Sequence, residues 1–145
     1  MGLDQGGSNA VTGLVAGIGF RRETGVDEIV ALVVQALDAI GASRDRLAAL
    51  ATAEDRARDQ GAIDAAAALG IPLLAIGQAD MLAADDRVQT RSARIEASRG
   101  VGSVAEAAAL AASGEEGRLV LRRIASSYAT CALAMPRVSG QSRLP

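Results

Sequence analysis

Gly13–Arg22, GLVAGIGFRR, is the stretch on which the fold turns. A short apolar run from Leu14 to Ile18 ends in Gly17-Ile18-Gly19 and two adjacent arginines, Arg21 and Arg22. An amphipathic segment from Val26 to Ile40 follows, so the pattern reads as strand, Gly-rich turn, cationic pair and helix. Ligands of open α/β sheets bind outside the carboxyl ends of the strands. A helix N-terminus adds unpaired N–H groups and a partial positive charge. With two guanidiniums beside it, such a turn suits a guest that carries carboxylates or phosphates. The competing reading is a buried first strand followed by two solvated arginines.

Outward from this turn, Thr24-Gly25-Val26-Asp27 has the spacing of a capping box, with Thr24 as N-cap and Asp27 reaching back. Val26, Ile29, Val30, Val33, Leu37 and Ile40 then line one helical face, and Gly41 stops the helix. Leu47–Thr52 reads as a second buried strand, although its alanines would equally suit a helix, and the charged run EDRARDQ follows. Ala62–Leu69 is a short Ala-rich helix closed by Gly70. Ile71–Gly77 reads as a third strand, and Pro72 near its start suggests a sheet edge or an entry position. Gln78–Ala84 has room for one or two helical turns before a polar segment, DDRVQTRSAR. Ser103-Val104-Ala105-Glu106 is a second capping box, opening a helix that runs to about Ser113. Leu119–Ile124 and Thr130–Ala134 form a closing antiparallel hairpin. The expected architecture is a three-layer α/β/α sandwich on a mixed, mostly parallel sheet of about five strands. Residues 13–135 make one domain, between flexible tails at 1–12 and 136–145.

Composition narrows the chemistry. The chain has 145 residues, half of them apolar, and a formal charge of −2. That charge and the near absence of aromatics, Phe20 and Tyr128 alone, argue against a general nucleic-acid binder. No apolar run approaches the roughly 20 residues of a membrane span, and no signal pattern opens the chain, so the expected location is cytoplasmic. There is no histidine and no lysine, and all fifteen cationic side chains are arginine. The commonest general base and metal ligand is missing, as is any lysine Schiff base. One cysteine with carboxylates makes a poor zinc site, so no metal and no cofactor are expected. Acid–base work would fall to Asp, Glu, Tyr128 or Cys131.

The individual motifs are weaker. Gly17-Ile18-Gly19 is not a dinucleotide fingerprint, since Arg22 stands where the third glycine belongs. Glu106 invites a role as a catalytic carboxylate, but its capping-box spacing already explains it. Ser103 is an N-cap that could also meet a ligand anion. Cys131, in an apolar strand, reads as inert core. The cluster Glu54, Asp55, Arg56, Arg58 and Asp59 reads as a solvated loop, notable only for following a strand on the edge that carries Arg21 and Arg22.

Taken together and in order, GIGFRR, LAT, LGIPLLAI, VGSVAEAAAL and ATCALA resemble the CobE/CbiG C-terminal-domain family of cobalamin-biosynthesis proteins. The similarity runs from about Gly13 to Ala134, and a one-domain chain is closest to the family's stand-alone form. The resemblance implies a role in building the corrin ring, and a ligand edged with many carboxylates. By position it places the ligand site on Gly17, Gly19, Arg21, Arg22, Thr52, Ser103 and Thr130, with Glu106 as the candidate catalytic residue. Phe20 stands where many members have cysteine, and Glu23 where many have glycine. Thiol chemistry and the turn geometry there are therefore not carried over. The expected function is an accessory or carrier module that binds a precorrin-type intermediate, with other enzymes of the pathway as candidate partners. The alternative is a precorrin lactone hydrolase, with Glu106 as base and Arg21 or Arg22 steadying an oxyanion. A nucleotide-binding α/β domain is a third reading that rests on architecture alone.

Overall fold

The computed structural model describes residues 13–136. The tails expected at 1–12 and 136–145 lie outside that range apart from Pro136. The chain runs β1 (Leu14–Phe20), α1 (Val26–Ala39), β2 (Leu47–Ala53), α2 (Gln60–Leu69), β3 (Leu73–Ile76), α3 (Gln78–Ala84), α4 (Ala93–Arg99), α5 (Val104–Ala112), β4 (Arg118–Ala125) and β5 (Ala129–Met135). The five strands form one sheet in the order β3-β2-β1-β5-β4. β1 pairs parallel with β2, and β2 with β3, while β5 lies antiparallel to both β1 and β4. Four strands therefore point one way and only β5 runs against them. The C-terminal hairpin thus does more than close the sheet. Its second strand lies in the middle of it, beside β1.

Alternation along β1 builds the two outer layers. Leu14, Ala16 and Ile18 face a core formed with α1 and α2, through Ile29, Leu32, Val33, Leu37, Ala62 and Ala65. Val15 faces the other side, where Ala107, Ala108 and Leu110 of α5 meet Met81 and Ala84 of α3. Small residues set the layer spacing. At Gly17 an added Cβ would lie 2.0 Å from the carbonyl oxygen of Ala105 and 2.7 Å from the nitrogen of Ala109, so the α5 backbone rests directly on β1. Gly17→Ala is expected to cost about 3 kcal/mol in a denaturant melt, because the helix must lift off the strand. A neutral result would mean that this contact is not tight.

Two expectations about caps are corrected. α1 starts at Val26 with Gly25 as its N-cap and no side-chain capping bond. Thr24 is turned inward, donating its hydroxyl to the carbonyl of Arg21 at 2.6 Å. The turn is held by this bond, and Asp27 has no box to close. Ser103 is the N-cap of α5 as expected, its hydroxyl accepting from the Glu106 N–H at 3.2 Å. Glu106, however, does not reach back. Its carboxylate accepts from the N–H groups of Gln89 at 2.7 Å, Thr90 at 2.9 Å and Arg123 at 2.8 Å. It therefore ties the segment before α4 and the strand β4 to α5.

One element escaped the periodicity. α4 starts at the end of the polar segment DDRVQTRSAR and continues beyond it without an apolar stripe, and none of its residues is buried. Ser92 caps it and Gly100 ends it, so its local stop signals were present without the hydrophobic face. Cys131 is fully buried on β5, and burial pushes its thiol up to about 12. Native protein should therefore resist a thiol reagent that labels the unfolded chain within minutes. Rapid native labelling would contradict this.

Candidate functional site

An open cleft of about 420 Å³ lies at the carboxyl ends of β1, β2 and β4. Gly19, Phe20 and Arg21 bring β1 and its turn to it, and Thr52 brings β2. The hairpin contributes Arg123, Ser126, Ser127, Tyr128, Ala129 and Thr130. Arg56 comes from the loop after β2, and α4 with its cap supplies Ser92, Arg94, Ile95, Ser98 and Arg99. Five guanidiniums and four serines thus surround the opening, and no aspartate or glutamate is among the described residues that line it.

The arginines differ in what holds them. Arg99 is clamped by Asp55, with Nη1 and Nη2 donating at 2.7 and 3.1 Å, and this guanidinium holds the Asp55 carboxyl below its ordinary range. Arg56 bonds Asp59 at 3.3 Å and lies over the Phe20 ring, 5.6 Å from its centre. Arg21 lies at the same 5.6 Å over the ring of Tyr128. Among the described residues, no ion pair engages Arg21, Arg94 or Arg123.

The cleft brings together four of the residues expected at the site: Gly19, Arg21, Thr52 and Thr130. Gly19 pairs with Thr130 across β1 and β5, and a Cβ there would meet Thr130 Oγ1 at 2.8 Å. Thr52 is fully buried and donates to the Ile18 carbonyl at 2.8 Å, which leaves its oxygen only as an acceptor. The other four stand elsewhere. Gly17 lies under α5, and Ser103 is buried at the start of that helix. Arg22 lines a second cleft of about 500 Å³, together with Glu23, Asp59 and Asp64. Glu106 is wholly enclosed. Burial pushes its carboxyl up, but the N–H groups of Arg123, Thr90 and Gln89 outweigh that and hold it below its ordinary value. Both oxygens are engaged, and neither lines the cleft.

Glu23 sits in the turn between β1 and α1. It adopts φ 72°, the left-handed region that favours glycine, so the turn keeps a glycine geometry while carrying a side chain. Glu23→Gly is expected to stabilise the protein by about 0.5–1 kcal/mol, because the relief of strain exceeds the added chain entropy. A destabilised melt would refute this.

Arg94, Arg99, Arg123 and Tyr128 were not read from the sequence as site residues. Arg94 and Arg99 lie on α4, which lacks an apolar stripe. Arg123 and Tyr128 flank a hairpin tip whose place beside β1 is set by strand order. Arg56 alone had a signal, its position directly after β2. Among the described residues there is no group of three or more His, Cys, Asp or Glu side chains able to hold a metal ion. Nor is any helix there long and apolar enough to cross a membrane.

Fold and cleft together define a small α/β domain with an arginine-lined cleft at one edge of its sheet. Residues 14–134 match the family described as the cobalamin synthesis G C-terminus, and the chain belongs to that family. It is 34% identical over 129 residues to the protein CobE of a Sinorhizobium species, covering 89% of this chain and 84% of that one. The crystal structure of CobE, from the cobalamin (vitamin B12) biosynthetic pathway, superposes with a TM-score of 0.79 at 31% identity, covering 85% of this chain and 89% of that one. The cobalamin biosynthesis protein chiG of Agrobacterium tumefaciens gives 0.71 at 32% identity, with 86% and 99% covered. The chain is thus a cobalamin-biosynthesis protein of the CobE/CbiG C-terminal type.

Proposed function

We propose that the cleft binds an anionic, precorrin-type tetrapyrrole by its carboxylate-bearing edge, and that the protein acts as an accessory or carrier module. The observation that carries this is a cleft lined by five arginines and no carboxylate. Each guanidinium presents a planar fork that suits a carboxylate, and together they favour a guest with several. A cleft of about 420 Å³ lies at the small end of ligand pockets. It takes the acetate and propionate arms along one side of a macrocycle and leaves the rest of the ring accessible, which suits holding and handing on.

The hydrolase alternative loses its base, because Glu106 offers no free oxygen to the cleft. Absorption titration with cobyrinic acid, a corrin polycarboxylate, against its amidated counterpart cobinamide tests the proposal. Cobyrinic acid should bind and weaken as salt is added, while cobinamide should bind far less. Equal affinity for the two, or none for either, would refute it. Turnover of a lactone-bearing precorrin by the purified protein would restore the hydrolase, and nucleotide binding without corrin binding would favour the third class.

A further inference from the structure

We infer that Arg21 is the cleft's primary carboxylate receptor, and that Tyr128 and Glu28 are the residues that position it. This deepens the anionic-ligand reading above and rests on it. The chain has one phenylalanine, one tyrosine and no tryptophan, and both aromatic rings line this cleft, each beneath one of its arginines. An aromatic face attracts a guanidinium through its quadrupole without using any N–H donor. A carboxylate partner does the opposite, and Arg99 has already given donors from both Nη atoms to Asp55. Arg56 is divided, with one donor on Asp59. Among the described residues, Arg94 and Arg123 have neither an ion pair nor a ring contact, so ordering them on a ligand costs side-chain entropy. Arg21 alone among the five is held by a ring and keeps all its donors.

The backbone that carries the ring is held from outside the cleft. Glu28, in the first turn of α1, accepts from the Tyr128 N–H at 2.7 Å and from the Ser126 hydroxyl. The Arg21 N–H in turn donates to the Tyr128 carbonyl at 3.0 Å. Glu28 thus ties the hairpin tip to the first turn of α1, fixing the backbone from which the Tyr128 ring reaches the Arg21 guanidinium. Tyr128 is 54% exposed, which core packing does not explain and a place at the rim of a binding cleft does.

The test is absorption titration with cobyrinic acid, together with fluorescence of the free protein. Tyr128→Phe keeps the ring and should hold affinity within about twofold, while Tyr128→Leu should weaken it about two- to fivefold. Arg21→Ala should lose about tenfold or more. The double variant R21A/Y128L should be no weaker than R21A, whereas R94A/Y128L should show the product of its single losses. Glu28→Ala should behave like Y128L, and Glu28→Gln should recover part of the loss, since its amide oxygen can still accept from the Tyr128 N–H. With no tryptophan present, the protein's fluorescence arises from Tyr128. Its fast anisotropy decay should grow in free E28A. Multiplying losses in R21A/Y128L, or an unchanged decay in E28A, would overturn the positioning role while leaving the cleft intact. A wild-type protein blind to cobyrinic acid would instead overturn the ligand reading itself, with the receptor role of Arg21.

Discussion

Glu106→Ala is expected to cost about 3–5 kcal/mol, the largest loss of any single side chain here. The variant leaves three backbone N–H groups, those of Gln89, Thr90 and Arg123, without the acceptor that unites them. Charge-assisted bonds of this kind contribute roughly 1.5–3 kcal/mol each, and buried donors left unpaired carry their full desolvation cost. Glu106→Gln should fall between, because one end of its amide is a donor facing donors. The acid limb of stability should change as well. The folded carboxyl is held below its unfolded value, so its contribution is complete above the ordinary carboxylate range and fades as pH falls through the folded value. Chemical denaturation from neutral pH downward should show this loss in the wild type and a flatter acid limb in E106Q. An E106A protein as stable as wild type would show that the three N–H groups find other partners.

The second large effect concerns binding, and it separates two arginines that are neighbours in sequence. Arg21→Ala should weaken cobyrinic acid by roughly one to two decades, the equivalent of one charge-assisted contact of ~1.5–3 kcal/mol. Arg21→Lys should recover only part, since a point charge does not replace a guanidinium fork. Arg22→Ala should change little, because Arg22 lines the other cleft among carboxylates. Arg44, in the turn between α1 and β2 at the opposite edge of the sheet, is the control. A loss in R22A equal to that in R21A would mean that both arginines face the ligand and that their divergence is not kept in solution.

That divergence shows where reading along the chain stops. GLVAGIGFRR placed a strand, a turn and a cationic pair at the carboxyl edge of the sheet, and the pair is there. A strand's backbone dictates the side-chain alternation of β1, and a 3.6-residue period dictates the buried face of α1; both are local rules, legible in one segment. The strands, the α1, α2 and α5 helices, the Ser103 cap and the buried Cys131 all follow from rules of that kind. So did the family, because its motifs recur in order along the chain.

What tertiary structure decided are the contacts between segments far apart in sequence. Glu106 has the spacing of a capping box, yet its carboxylate is taken by N–H groups 16 and 17 residues away on both sides. Gly17 reads as a ligand turn, but the helix 88 residues later occupies the space above it. Tyr128 reads as an isolated aromatic until β5 pairs with β1 and brings the hairpin tip over Arg21. The α4 helix has no apolar stripe, because it is a polar wall of the cleft and not a layer of the core. Hydrophobic periodicity records which face of an element is dry. It carries no record of which polar groups the folded chain gathers at one edge, and in this protein that gathering, five arginines drawn from four separate segments, makes the candidate site.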